Sequence, residues 1–373
     1  MHAADIFYMR KTFALARKGI GRVQPNPLVG AIIVKNDRII STGYHKAYGA
    51  AHAELDAINR AKESVAGATL YCNLEPCCHT NKQTPPCAQR IIAENIQRVV
   101  IAHRDPNPLV NGKGIELLRA AGIEVVEGIE EQKGAELNEI FFTSITTKKP
   151  FIHLKWAQTI DGNIATVDGT SKWLSHQKAL HVVHRMRKQY DAIAVGQHTL
   201  VKDNPHLTAR SNKQVITCPW RIILTNLEAI QPDHHVVSDA FKHKTIIFTT
   251  PENCASHPAI VQTLHTQGVH IETIQRTKDG HLDLHHMIAT LAHYRISSLM
   301  VEGGSTLLSS FIAQHLWHRM SVFIAPLLLG KGIKVADHLP IQTLQEALRF
   351  NQITYKQYGD TLLYAIKNSQ KGA

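Results

Sequence analysis

At 373 residues, with 44% hydrophobic and 19% charged residues, the chain is too long for one ordinary hydrophobic core and reads as a two-domain globular protein, not a disordered or fibrous one. No segment has the apolar length to cross a bilayer, and Asp5, Arg10 and Lys11 interrupt the apolar stretch a secretory signal needs, so a cytoplasmic protein without membrane contacts is expected. The net charge of +11 is uneven, with 17 Lys+Arg against 15 Asp+Glu in residues 1–146 and 24 against 15 in residues 147–373, which suits a phosphorylated small ligand in the second part better than nucleic acid.

The first part alternates helix and strand. Ile6, Met9, Phe13 and Ala16 recur at helical spacing and predict a helix over 5–18; strands follow over 28–34 and 38–42, joined by a turn at Asn36 and Asp37. A helix over 52–62, a strand over 68–73, a helix over 86–95, a strand over 98–102, a helix over 115–121 and a strand over 123–126 complete an α/β sandwich. The polar run 143–149 before Pro150 is the expected linker, giving domains of 1–146 and 147–373.

The second part is another α/β series. Strands are predicted over 151–156, 192–195, 221–224, 244–249, 270–274, 298–301 and 322–325, with helices over 177–188, 258–267, 284–294 and 305–315. Two last strands, 353–357 and 362–366, flank Gly359 and Asp360 and read as an antiparallel hairpin.

Four of the six cysteines, Cys72, Cys77, Cys78 and Cys87, fall in one short stretch, which in a chain this long points to metal binding or chemistry and not to a disulfide framework. His52, Cys77 and Cys87 form a donor set that suits Zn²⁺ and leaves a fourth position open for water, which loses a proton near neutral pH. Glu54 is then the carboxylate that carries protons to a ring nitrogen and the departing amine. His52-Ala53-Glu54, Pro76-Cys77 and Pro86-Cys87 reproduce the zinc-deaminase pattern of H-x-E followed by a Pro-Cys pair and a second Cys. Residues two apart in mid-helix point to nearly opposite faces, so His52 and Glu54 can converge only at a helix start. Pro86 suits the first helical position and puts Cys87 in the first turn. The alternatives are a set of buried free cysteines or a structural zinc with His79 or Cys78 as fourth ligand, a reading that leaves Glu54 without a role. Cys72 reads as a core residue.

In the second part no G-x-G-x-x-G matches in full, since Gly19/Gly21 lead to Gln24 and Gly112/Gly114 to Leu117, so a Rossmann site is unsupported. A strand ending at Glu302 runs through Gly303-Gly304-Ser305 into a helix, where backbone N–H groups can approach a pyrophosphate; a plain tight turn with a Ser cap is the other reading.

Pro25-Asn26-Pro27-Leu28-Val29-Gly30, His52-Ala53-Glu54, Leu74-Glu75-Pro76-Cys77 and Thr84-Pro85-Pro86-Cys87 closely resemble the bifunctional riboflavin-biosynthesis deaminase/reductases. The resemblance continues through Asp105-Pro106-Asn107-Pro108, Lys155, Asp161-Gly162, Ser171-Lys172-Trp173, Asp203-Asn204-Pro205 and Val301-Glu302-Gly303-Gly304-Ser305, and so spans nearly the whole chain. It implies a cytidine-deaminase-like α/β/α sandwich and a dihydrofolate-reductase-like α/β domain. The implied activity is zinc-dependent deamination of a diamino-hydroxy-phosphoribosylamino-pyrimidine, then NADPH reduction of the ribosyl group to ribityl.

By that resemblance His52, Cys77 and Cys87 hold zinc, Glu54 carries protons, Asn26 and His45 meet the pyrimidine, and His79 and Lys82 hold the substrate phosphate. Ala157, Trp173, Thr199, Asp203 and the run Gly304, Ser305, Thr306, Leu307, Leu308, Ser309 and Ser310 line the cofactor. Ser171, Arg187, Leu207, Arg210 and Glu302 face the sugar phosphate, the two arginines being apt for bidentate phosphate contacts. Lys155, Asp203 and Glu302 are expected to shape proton delivery to the ring-opened sugar imine, and a homo-oligomer, dimer or tetramer, is expected. The chain departs from the family in a Cys77–Cys87 loop one residue longer than usual, in Cys78 where serine is common, and in His318 where an acid often stands. Most of the 24 histidines, 19 of them within 147–373, read as solvated surface. Two other readings compete: a tRNA adenosine deaminase with an accessory domain, which needs basic surface around the deaminase pocket, and a zinc-stabilised binding protein with a degenerate reductase.

Overall fold

The computed structural model describes residues 3–79, 86–172, 174–278 and 280–368. The chain divides into two compact units, Met1–Lys149 and Pro150–Ala373.

The first unit contains α1 (Ala3–Ala16), β1 (Gly30–Lys35), β2 (Arg38–Tyr44), α2 (Ala53–Arg60), β3 (Thr69–Leu74), α3 (Cys87–Ala93), β4 (Arg98–His103), α4 (Lys113–Ala120), β5 (Glu124–Val126), α5 (Glu131–Leu137) and α6 (Glu139–Thr147). Its sheet runs β2-β1-β3-β4-β5, with β1 antiparallel to both neighbours and β3, β4 and β5 parallel. Asn36 and Asp37 both take positive φ, +51° and +56°, and make the tight turn between β1 and β2. Both faces of the central strands are buried, so alternate residues feed two cores. Ala31, Ile33, Leu70, Cys72, Val99 and Ile101 pack against Ala57, Ile91 and Leu118 of α2, α3 and α4, while Ile32, Val34, Tyr71 and Val100 pack against Met9 and Phe13 of α1.

The expected linker is mostly helix. Thr146 and Thr147 turn their hydroxyls back on the carbonyls of Phe142 and Thr143, both at 2.7 Å, which satisfies polar side chains inside α6 and carries the helix almost to Pro150.

The second unit contains β6 (Phe151–Thr159), β7 (Asn163–Ala165), α7 (Gln177–Arg187), β8 (Ala192–Gly196), α8 (Gln197–Asp203), β9 (Ala209–Ser211), β10 (Gln214–Thr217), β11 (Trp220–Leu224), α9 (His235–Ser238), β12 (Thr245–Thr249), α10 (Pro251–Ser256), α11 (Pro258–Thr266), β13 (His270–Thr273), α12 (Leu284–His293), β14 (Ser298–Gly303), α13 (Ser305–Ala313), β15 (Arg319–Ala325), β16 (Ile333–Lys334), β17 (Ile353–Tyr358) and β18 (Thr361–Lys367). The nine-stranded sheet runs β13-β12-β11-β8-β14-β6-β15-β18-β17, parallel through β15 and closed by the antiparallel β17–β18 hairpin. Leu154, Ala194, Ile222, Phe248 and Val301 on one face meet Leu291 of α12 and Leu308 and Phe311 of α13; Phe323 and Leu363 on the other meet Ala179 and Val183 of α7.

Several histidines are structural and not solvated. His153 is 1% exposed, contacting the Tyr190 hydroxyl through Nδ1 at 2.5 Å and the Ser321 hydroxyl through Nε2 at 2.9 Å. His234 is buried, and His235 stacks on His206 with ring centroids 3.8 Å apart. His318 accepts the Ile152 N–H on Nδ1 at 3.0 Å and stacks on Phe151, so this departure from the family's acid holds the start of β6.

Candidate active sites

In the first unit the structure gathers His52, Cys77 and Cys87. His52 is the N-cap of α2, Cys77 lies in the loop after β3 and Cys87 opens α3 after Pro86, so two helix starts and one strand end deliver one donor each. Cys77 Sγ and Cys87 Sγ lie 3.5 and 3.4 Å from His52 Nδ1, and the three donor atoms fall within 4.8 Å of one another. The Cys87 N–H donates to Cys77 Sγ at 3.4 Å, a contact that favours a thiolate. One imidazole and two sulfurs at this spacing fit a zinc ion with an open fourth position. Glu54, in the first turn of α2, is 3% exposed. Cys72 is fully buried, and burial first, then the Glu54 charge, push its thiol well above the ordinary range, so it stays a neutral core residue.

Asn26 and His45 meet as well. His45 Nδ1 donates to the Ala51 carbonyl at 3.1 Å, leaving Nε2 to accept from Asn26 Nδ2 at 3.1 Å, and its ring lies edge-on to His52 with centroids 5.4 Å apart. Burial, with a smaller effect from His52, lowers the His45 pKa and keeps it neutral. His79 follows the cysteine pair, whereas Lys82 lies outside the described residues.

Sequence reading missed what holds these groups in place. Asn73 accepts the Gly30 N–H at 2.7 Å and donates to the Leu28 carbonyl at 2.9 Å, and Asn138 brackets Leu28 from the other side, accepting its N–H at 2.8 Å. The loop carrying Asn26 is thereby pinned. Glu75 is 3% exposed and accepts four backbone N–H groups, from Asp105 at 3.2 Å, Gly112 at 2.9 Å, Gly114 at 2.9 Å and Ile115 at 3.4 Å. It ties the loop of Cys77 to the start of α4. A Cβ on Gly114 would lie 2.1 Å from the Pro76 carbonyl oxygen, so this glycine serves close packing and not a dinucleotide.

In the second unit a cavity of about 990 Å³ opens at the ends of β6, β8 and β14. Lys155, Ala157, Ser171 and Thr199 line it, as do Asp203, Leu207, Arg210 and Glu302. Gly304, Ser305, Thr306 and Leu308 line it from α13; Leu307 and Ser310 turn to a second cavity of about 330 Å³. Ser309 lines neither. It is 1% exposed, with its hydroxyl shared between the carbonyls of Ser305 at 2.7 Å and Val335 at 2.5 Å, because six successive helical residues cannot all face one ligand. Trp173 lies outside the described residues.

At the cavity floor Glu302 accepts Arg187 Nε at 2.6 Å and Nη2 at 2.8 Å, with Lys155 Nζ at 3.5 Å. Arg187, which also lines the cavity, has two N–H donors on Glu302 and a third on the Thr208 carbonyl at 3.1 Å. Burial drives the Glu302 carboxyl up, but Arg187 and Lys155 outweigh it and hold it at about 2. Burial lowers the Lys155 ammonium, partly offset by Glu302, which brings a proton donor closer to neutral pH. Arg210 differs from Arg187: its Nε is buried with no partner among the described residues, and burial and Arg187 lower its pKa. An anion in the cavity would satisfy that donor. Leu207 sits at φ +54°, a strained left-handed position for a side chain that is 1% exposed in the cavity wall. His198, Lys202 and His206 also line the cavity and were not singled out by sequence.

Among the described residues no helix is long and apolar enough to cross a membrane. Residues 3–103 match the cytidine and deoxycytidylate deaminase zinc-binding region, and residues 150–364 match the RibD C-terminal domain. The chain is 41% identical to the riboflavin biosynthesis protein RibD of Aquifex aeolicus over 97% of this chain and 98% of that one, and 35% identical to the Escherichia coli protein over 97% and 99%. Among solved structures, Acinetobacter baumannii RibD is 32% identical with a TM-score of 0.88, covering 98% of this chain and 99% of that one. A Thermotoga maritima diaminohydroxyphosphoribosylaminopyrimidine deaminase/5-amino-6-(5-phosphoribosylamino)uracil reductase is 34% identical with a TM-score of 0.81, covering 98% of both chains.

Proposed function

The chain belongs to the RibD family of riboflavin-biosynthesis enzymes, and from that membership we propose how its two units divide the family's two reactions among named residues. The enzyme is a bifunctional deaminase and reductase. It hydrolyses the 2-amino group of 2,5-diamino-6-(5-phosphoribosylamino)pyrimidin-4-one to give 5-amino-6-(5-phosphoribosylamino)uracil, then reduces the ribosyl chain to ribityl. The observation that carries the first half is the convergence of three soft donors within 4.8 Å beside the helical turn that holds a buried carboxylate.

His52, Cys77 and Cys87 hold the zinc, which when bound supplies the Lewis acidity that makes water a nucleophile near neutral pH. Glu54 carries one proton from the attacking water to the ring nitrogen and then a second, from the hydroxyl so added, to the departing amine; its burial keeps these protons from solvent. Asn26, bonded to His45 and carried on the loop that Asn73 and Asn138 pin at Leu28 and Gly30, orients the pyrimidine, and His79 and Lys82 hold the substrate phosphate.

In the second unit the backbone N–H groups of the Gly303–Ser305 turn would hold the diphosphate of NADPH, which would supply the hydride. Thr199, Ala157 and the cavity-facing residues of α13 shape its seat, and Ser171, Leu207 and Arg210 receive the sugar phosphate; the family resemblance adds Trp173 to the cofactor's residues. Lys155, poised by Glu302 and with Asp203 nearby, delivers the proton that completes reduction of the ring-opened sugar imine. Arg187, which lines the same cavity, both holds Glu302 and joins Ser171, Leu207 and Arg210 at the sugar phosphate. The setting is the cytoplasm and the working form a homo-oligomer, dimer or tetramer, for which light scattering on the purified protein is the check.

The test follows ammonia release and NADPH oxidation together on the diaminopyrimidine substrate. One ammonia and one NADPH per product, ammonia first, is the expected result; ammonia without NADPH oxidation would remove the reductase half.

A further inference from the structure

Two cavities of the second unit meet at one turn. Gly304, Ser305 and Thr306 line both the 990 Å³ cavity that holds Lys155 and Glu302 and the 330 Å³ cavity at the ends of β8 and β11. A dinucleotide whose diphosphate crosses that turn has its nicotinamide half beside Lys155 and its adenosine half in the smaller space. Leu224, Leu282, Leu284 and Leu307 give that space apolar walls suited to a purine. Among the described residues no carboxylate lines it. An acid there would accept a free 2′-hydroxyl and repel a 2′-phosphate, while an arginine does the reverse. Arg276, just after β13, is the one Arg or Lys among the described residues of the lining. Among the described residues its guanidinium makes a single hydrogen bond, from Nη1 to the Gly280 carbonyl at 2.8 Å, which positions the group and leaves its other N–H donors for a ligand. Asn226, in the same wall, keeps a buried Oδ1 with no partner among the described residues, an acceptor for an adenine amino or ribose hydroxyl group.

We infer that the adenosine half of the cofactor occupies this smaller cavity and that Arg276 reads the 2′-phosphate that separates NADPH from NADH. This rests on the reductase reading above. It assigns to one side chain a selectivity that the catalytic groups around Lys155 do not provide.

The test is calorimetric titration of the full-length protein with adenosine 2′,5′-bisphosphate and, separately, with AMP. The wild type binds the bisphosphate more tightly. Arg276→Ala weakens that binding roughly tenfold or more, as loss of a charge-assisted contact requires, and leaves AMP binding and ammonia release unchanged. Arg276→Lys keeps the charge without the fork and recovers part of the loss. In turnover, KM for NADPH rises in Arg276→Ala while KM for NADH does not. Unchanged bisphosphate affinity in Arg276→Ala, with wild-type enzyme still oxidising NADPH, overturns the role of Arg276 and leaves the reductase standing. A wild type that oxidises no NADPH with the deaminated substrate overturns both.

Discussion

Replacing Glu302 by Gln removes the one negative charge between two buried cations. In the folded protein Glu302 is held at about 2 by Arg187 and Lys155 against the cost of burial. An unfolded glutamate titrates at about 4.3, so the ionised carboxylate contributes about 3 kcal/mol to the second unit at neutral pH. Breaking a buried pair from one side costs about 3–5 kcal/mol by another route, because the partner charges remain without compensation. The two figures agree on a large loss. Because the folded pKa is depressed, the contribution is complete above about pH 4.3 and is lost as pH falls through about 2. All four tryptophans, Trp156, Trp173, Trp220 and Trp317, lie in the second unit, so tryptophan fluorescence in urea reads that unit alone. The difference between wild type and Glu302→Gln should hold steady from pH 8 to 5 and shrink below about pH 4.3. A loss under about 1 kcal/mol at pH 7, or a difference that grows on acidification, would refute the ion-pair account.

Glu54→Gln should cut ammonia release by at least about a hundredfold while zinc stays bound, as measured by metal analysis; unchanged release would show that another group carries the proton. Glu75→Gln trades a carboxylate accepting four backbone N–H groups for an amide that offers one oxygen, and should destabilise the first unit by about 2–4 kcal/mol. Heat should then abolish ammonia release at a lower temperature, with the tryptophan transition unmoved. Arg210→Ala should raise KM for the deaminated phosphorylated intermediate about tenfold and spare ammonia release; an unchanged KM would take Arg210 out of the phosphate site.

The sequence made the chemistry of the first unit legible because its donors are chemically rare and sit at element boundaries that proline and periodicity mark. His52 at the start of α2 and Cys87 directly after Pro86 are examples. Strand alternation likewise located β1, β3 and β4, whose even and odd residues feed separate cores. The supports were harder to see. Asn73, Glu75 and Asn138 are common residue types whose partners lie 30 or more positions away, and no local pattern links Asn138 to Leu28. Arg187 read only as a phosphate ligand because a guanidinium advertises charge and not its partner; the fold also brings Glu302 against it across 115 positions. The run from Gly304 to Ser310 read as continuous cofactor lining, but helical geometry divides it between two cavities and turns Ser309 inward. The polar run 143–149 before Pro150 read as linker, yet threonine hydroxyls bonding back to the preceding turn keep it helical as far as Thr147.

Metal removal separates the two halves of the enzyme most directly. Elemental analysis should find one zinc per chain, lost on substitution of His52 or Cys87; chelation should stop ammonia release, and added zinc restore it. The same chelated protein should still oxidise NADPH with the deaminated intermediate. Ammonia release that persists in metal-free, folded protein would contradict the assignment of His52, Cys77 and Cys87.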